Sequence, residues 1–209
     1  MTTRAERVRW ASAERRELAR RDLRSSILDA ATALFDEGGA EAVTMRAVAE
    51  RIGYSATTIY LHFPDRDALL FAVVDDAFVA FGAAMTAAIG FTTDPSARLA
   101  AMGRAYILFA LDHPAHYRLM FIQRPDYLLG HGPAEEHTRI ESLGALSALA
   151  ATAPAGRSDQ VDPVAMADAM WATMHGIAAL ATGVPIFDRA RALAATDAAI
   201  AMLQHGLPD

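Results

Sequence analysis

Between Ser55 and Pro64 the chain reads SATTIYLHFP, and five of its side chains can hydrogen-bond: the hydroxyls of Ser55, Thr57 and Thr58, the phenol of Tyr60 and the imidazole of His62. Such groups meet phosphate oxygens and base edges. Other chemistry is poorly provided for. A di-iron carboxylate bundle needs Glu-x-x-His pairs on facing helices. The residues three before His62, His113, His116, His131, His137, His175 and His205 are Ile, Ala, His, Leu, Ala, Ala and Met, so no such pair exists. His113 and His116 are separated by Pro114, and Glu135-Glu136-His137 has no facing partner, so no metal site is expected. The chain has no cysteine, which excludes disulfides, thiolate zinc sites and a cysteine nucleophile. It has no lysine either: all 19 basic residues are arginine, which removes Schiff-base chemistry. Neither a G-x-S-x-G elbow nor a Gly-rich phosphate loop is present. No cofactor follows from the sequence. The one catalytic alternative left is His175 as a general base inside a helical bundle.

The hydroxyl-rich stretch must be positioned by what surrounds it. Residues 26–37 place Ile27, Ala30, Ala31, Leu34 and Phe35 on one helical stripe, and Gly38-Gly39 ends it. Thr44 is a good N-cap for a second helix with Met45, Val48, Ala49 and Ile52 on its apolar face, stopped by Gly53. Ser55 caps a third helix of barely two turns, closed by His62-Phe63-Pro64 because the residue before proline is pushed out of the helical region. A fourth begins near Asp65 and carries Leu69, Leu70, Val73, Val74, Ala77, Phe78 and Phe81 to about residue 89. Helix, glycine-containing turn, short second helix is the helix-turn-helix pattern, whose second helix lies in a DNA major groove. Ile59 is its anchor, helped by Phe63, and its polar residues are left free to read.

With 53% hydrophobic residues, abundant alanine and little strand-type alternation, the whole chain is expected to be all-α. Its net charge is −6, but residues 1–24 carry eight arginines against four acids. A polyanion would be met by that end. Residues 1–22 are a basic arm or a helix extension, with Arg4, Arg7, Arg9, Arg15, Arg16, Arg20 and Arg21 available for a backbone or minor groove. They show no secretory pattern, so a cytoplasmic protein is expected. Ala169 to Phe187 lacks Asp, Glu and Arg, yet its Trp, His, Gly, Thr and Pro residues and its flanking aspartates fit a buried helix better than a membrane span.

Thr44, Val48-Ala49, Ile52-Gly53-Tyr54-Ser55, Thr58-Ile59-Tyr60, His62-Phe63, Arg66 and Leu69-Leu70 form an ordered set. In these residues the segment 24–74 resembles the DNA-binding domain of TetR-family transcriptional regulators. The resemblance implies that Thr44, Thr58, Tyr60 and His62 contact phosphates, and that Ala56, Thr57 and Leu61 sit nearest the bases. Arg66 stands where a lysine is usual and should serve a phosphate; Arg24, Arg46 and Ser55 complete the expected DNA-binding set. Tyr54 replaces the usual small aliphatic residue and Thr57 the usual glycine or alanine, so operator preference is this chain's own.

Domains are expected at 23–72, the helix-turn-helix, and 73–209, a helical bundle for effector binding and dimerisation. Helices are read near 95–112, 114–123, 134–152, 162–184 and 189–205. Trp171-Ala-Thr-Met-His175-Gly176 resembles the Trp/His/Gly signature of one TetR subgroup. A regulator of this kind needs a cavity, and Tyr106, Phe109, His113, Tyr117, Met120, Phe121, Trp171, Met174 and His175 offer bulky walls with a few polar tips. The last two helices, through Gly176, Ala178, Ala179, Ala181, Gly183, Ala198, Ile200, Ala201 and Leu203, are expected to pair in a homodimer. The resemblance thus implies a repressor on a palindromic operator, released by a small apolar effector.

Overall fold

A computed structural model describes residues 4–90, 93–123 and 163–205. Among these residues every regular element is a helix: α1 (Arg4–Ala42), α2 (Met45–Ile52), α3 (Ala56–Tyr60), α4 (Arg66–Ile89), α5 (Pro95–Asp112), α6 (Pro114–Arg118) with a π-helical turn at Leu119–Gln123, α7 (Pro163–Gly183) and α8 (Arg189–His205). The expected helix at 134–152 lies outside the described residues. The chain forms two compact units, Met1–Val73 and Val74–Asp209.

In the first unit α1 is much longer than its apolar stripe requires, because the helix begins at Arg4 and takes in the basic segment. Its backbone leaves the helical region at Gly38 and at Gly39 (φ 70°, ψ −167°), the second a conformation essentially reserved for glycine. Thr44 caps α2, accepting from the Ala47 N–H at 3.1 Å. Gly53 closes α2 in the left-handed region (φ 74°, ψ 29°). The core is Ile27, Leu28, Ala31 and Phe35 of α1, Val48 and Ala49 of α2, Ile59 of α3, Phe63, and Leu69 and Leu70 of α4. A bidentate ion pair from Arg51 to Glu37, at 2.8 and 2.6 Å, joins the end of α2 to α1. That guanidinium hydrogen bond also holds the Glu37 carboxyl below the usual carboxylate range.

In the second unit Asp94 caps α5, accepting from the Ser96 and Ala97 N–H groups. Gly103 lets α5 approach its neighbours closely, since a Cβ there would lie 2.7 Å from Ile200 Cδ1 and 3.4 Å from Met174 Sδ. Ion pairs from Arg104 to Asp197 and from Arg189 to Asp112 (2.6 Å) fasten α8 to α5. Ala178 and Ile200, expected on a pairing surface, are instead buried in this core. Helical phase accounts for the correction: Gly176 and Gly183 point into open space while Ala178 points inward.

Residues 169–187 do not make one long apolar helix, because α7 stops at Gly183. Among the described residues the helix long and apolar enough to cross a membrane is α4, and 56% of its most apolar window is buried inside the protein, as befits a core helix.

Gly39→Ala should cost about 1–3 kcal/mol in urea unfolding, since no other residue readily takes its φ/ψ. Gly53→Ala should cost only about 1 kcal/mol, because its left-handed conformation is milder and its Cβ would meet nothing within 4 Å. Equal losses would refute the ranking.

Candidate nucleic-acid interface and a buried aromatic cluster

A five-residue helix has too few internal bonds to persist alone, so α3 is held by its ends. Ser55 accepts from the Thr58 N–H at 3.2 Å, and the His62 and Phe63 N–H groups both return to the Ile59 carbonyl. Ile59 is fully buried and is the single core residue of α3. Thr57, Tyr60 and Leu61 are exposed, and Ala56, Thr58 and His62 are half-buried. Leu61, at 75% exposure, is the most open apolar residue of this surface, with Tyr54 beside the turn at 51%.

Several of the expected contacts are already engaged within the protein. The Ser55 and Thr58 hydroxyls lie 2.9 Å apart, so one of their two O–H groups is used between them. Thr44 spends an acceptor on Ala47 and keeps its O–H free to donate. Arg46 is paired with Glu50 at 2.9 Å, both exposed. Arg24 lies over the Phe63 ring, 4.8 Å from its centroid.

Arg66 departs most from expectation. Its Nε donates to the Val43 carbonyl at 2.7 Å and its Nη2 donates to the Ala40 carbonyl, with Glu41 at 3.7 Å. The guanidinium therefore ties the first residue of α4 to the turn between α1 and α2. A planar fork holds two N–H donors rigidly toward two carbonyls, a geometry that the flexible ammonium of a lysine does not preorganise. Burial, then the charges of Arg20 and Arg24, hold the His62 imidazole below its ordinary pKa.

In the second unit the expected effector residues mostly converge. Tyr106, Phe109, Tyr117, Met120, Phe121 and Met174 are all buried. Tyr106 stands edge-on to Tyr117 at 6.1 Å, and Tyr117 and Phe121 lie 5.3 Å apart. Phe78 and Phe81 of α4 join them, Phe81 packing edge-on to Tyr106 at 5.3 Å and to Phe109 at 5.2 Å. The sequence shows these two only as part of a core stripe, and nothing in their spacing marks the cluster. His113 joins from the outside: it is exposed at the end of α5, with its ring 4.9 Å from that of Phe109. Trp171 is 37% exposed at the margin, 6.1 Å from the His175 ring.

The polar groups of this cluster are unequal. The Tyr117 hydroxyl lies 2.8 Å from His175 Nδ1 and 3.2 Å from the His175 carbonyl. The Tyr106 hydroxyl is fully buried and has no hydrogen-bond partner. Burial pushes its pKa up to about 12; the nearby Tyr117 and Trp171 act in the opposite sense without reaching hydrogen-bonding geometry. Burial, and then the neighbouring Tyr106, also raise the Tyr117 phenol, while burial lowers the His175 imidazole. All three groups are thus neutral near pH 7. Among the described residues no group of His, Asp and Glu could hold a metal.

Residues 27–73 match the family model described as "Bacterial regulatory proteins, tetR family", and residues 99–203 match that of the "Tetracyclin repressor-like, C-terminal domain". The chain belongs to the TetR family. Among curated proteins it is similar to the HTH-type transcriptional repressor KstR of Mycolicibacterium smegmatis, 50% identical over 52 residues. That match covers 25% of this chain and only 26% of KstR. A Rhodococcus sp. RHA1 protein of unknown function has a similar structure (TM-score 0.70, 30% identity, 90% of this chain and 95% of that one). The Bacillus subtilis regulator FadR, solved with stearoyl-CoA, shares the fold at 15% identity (TM-score 0.69, 88% of this chain and 99% of that one).

Arg66→Lys should lose about 1–2 kcal/mol in urea unfolding, because a flexible ammonium holds the two carbonyls less well than a preorganised fork. Wild-type stability in this variant would show that water serves them equally well. A second expectation concerns acid. His175 binds its proton less readily when folded than its ordinary 6.5, so its contribution is present above about pH 6.5 and lost as pH falls through that window. The thermal midpoint should fall between pH 7 and 5, above the carboxylate range, and less steeply in His175→Gln. An unchanged slope in that variant would assign the loss to His62, shifted in the same direction.

Proposed function

We propose that the chain is a sequence-specific DNA-binding transcriptional repressor that acts in the cytoplasm as a homodimer and leaves a palindromic operator when a small, largely apolar effector binds. The observation that carries it is α3: one buried anchor, Ile59, with Thr57, Tyr60 and Leu61 turned outward. So short a helix contributes little to a core, and its worth lies in what it presents. Tyr60 and Thr44 position it on phosphates, and Ala56, Thr57 and Leu61 face the bases. The similarity to KstR, named a transcriptional repressor, supports the sign of regulation.

Pairing through α7 and α8 is supported by the apolar residues those helices and their connection leave exposed, Leu180, Val184, Ile186 and Met202, and by the open space over Gly176 and Gly183. A two-fold axis would set two copies of α3 one DNA turn apart, about 34 Å. The aromatic cluster suits an uncharged effector that can accept a hydrogen bond from Tyr106, which now lacks a partner. A coupling of about 1–3 kcal/mol between effector and operator changes affinity roughly 5- to 150-fold. The natural carrier is α4, which contributes residues to both units. No turnover is assigned to His175, whose Nδ1 is engaged by Tyr117.

Selection of random duplex DNA by the purified protein should enrich an inverted repeat, and Tyr60→Ala should abolish the enrichment. Thr57→Gly should still select DNA but prefer another sequence. Failure of the wild-type protein to enrich any repeat would remove the proposal, and an unaltered preference in Thr57→Gly would remove that residue from base reading.

A further inference from the structure

On α1 the residues Arg16, Arg20 and Arg24 recur every fourth position, so each turns only about 40° from the last and the three rise about 12 Å along one face. That face continues C-terminally as Leu28, Ala31 and Phe35, which lie in the core. The side of α1 that beds the first unit therefore becomes a row of arginines where the helix runs past it. Arg24 marks the crossing point, its guanidinium over Phe63, the residue immediately after His62.

All three arginines are exposed, and among the described residues no hydrogen bond or ion pair engages them. Their neighbours differ: Arg15 donates to the Ala11 carbonyl and Arg21 to Glu17. Like charges at i,i+4 oppose a helix, so an anion laid along the row would relieve their mutual repulsion. In a chain of net charge −6 it is not the general character of the surface.

We propose that Arg16, Arg20 and Arg24 form a second DNA-contacting surface, which grips the phosphate backbone flanking the segment met by α3. It rests on the DNA-binding reading above. The proximity of the row to His62, whose imidazole is influenced by both Arg20 and Arg24, favours the duplex that α3 engages over any other polyanion. A stripe about 12 Å long spans the axial rise of roughly three phosphates on one strand. Phosphate contacts add affinity and register without sequence preference.

The test uses the full chain and the inverted repeat it selects, as a minimal duplex and as one extended by about 10 base pairs at each end. For the wild-type protein the longer duplex should bind more tightly. Arg16→Gln/Arg20→Gln keeps helix-forming side chains, and circular dichroism checks that helicity is retained. In this variant the advantage of the longer duplex should disappear. The slope of log K against log salt should shrink by about 1.8 per protomer, 0.9 for each lost phosphate contact, while the preferred sequence stays the same. A variant with wild-type slope and length dependence overturns the proposal alone. A wild-type protein that selects no duplex, as Tyr60→Ala should not, overturns the DNA-binding reading and this proposal together.

Discussion

A helix of five residues cannot hold itself in place, and the first unit is arranged around that constraint. Nucleating a helix costs more than one turn of hydrogen bonds returns, so α3 depends on Ser55 at one end, the Ile59 carbonyl at the other and Ile59 itself buried between. Those supports depend in turn on α2, fixed by its Thr44 and Gly53 caps and by Arg51 on Glu37. Arg66 finishes the frame by drawing the carbonyls of Ala40 and Val43 to the start of α4. Each support is small. Their combined effect is that the outward residues of α3 ride on a rigid base, and preorganisation of this kind spares binding the cost of ordering them.

The aromatic cluster follows the opposite principle. The frame of α3 satisfies its polar groups, whereas the cluster seals one away: the Tyr106 hydroxyl is buried among rings without an acceptor, although an unmet group of this kind costs about 1–3 kcal/mol. The Tyr117–His175 contact shows that partners were available nearby. The π-helical turn at Leu119–Gln123 begins two residues after Tyr117 and carries Met120 and Phe121, and such turns frequently accompany functional sites.

What could be read from the sequence was what local chemistry fixes. Gly53, Ser55 and Thr44 act through the backbone of their own segment, so the turn and both caps stand where their residue types indicate. The inward turn of Arg66 was hidden, because an arginine reads alike whether its fork meets a phosphate or a carbonyl 23 residues away. The same blindness to tertiary packing misplaced Ala178 and Ile200 and left Phe78 and Phe81 unconnected to Tyr106. His113 shows the converse: its spacing one turn beyond Phe109 could be read, and its ring does lie against Phe109, at the exposed edge of the cluster.

The two tryptophans stand in different surroundings, one in each unit. Trp10 projects from the arginine-bearing part of α1 at 75% exposure, and Trp171 sits at the rim of the aromatic cluster beside His175. Indole emission moves to the red as contact with water grows, so the two rings, 75% and 37% exposed, carry different optical signatures. The protein therefore contains two native fluorophores, separable by a single Trp→Phe exchange, one reporting on the basic helix and the other on the buried rings, with no added label.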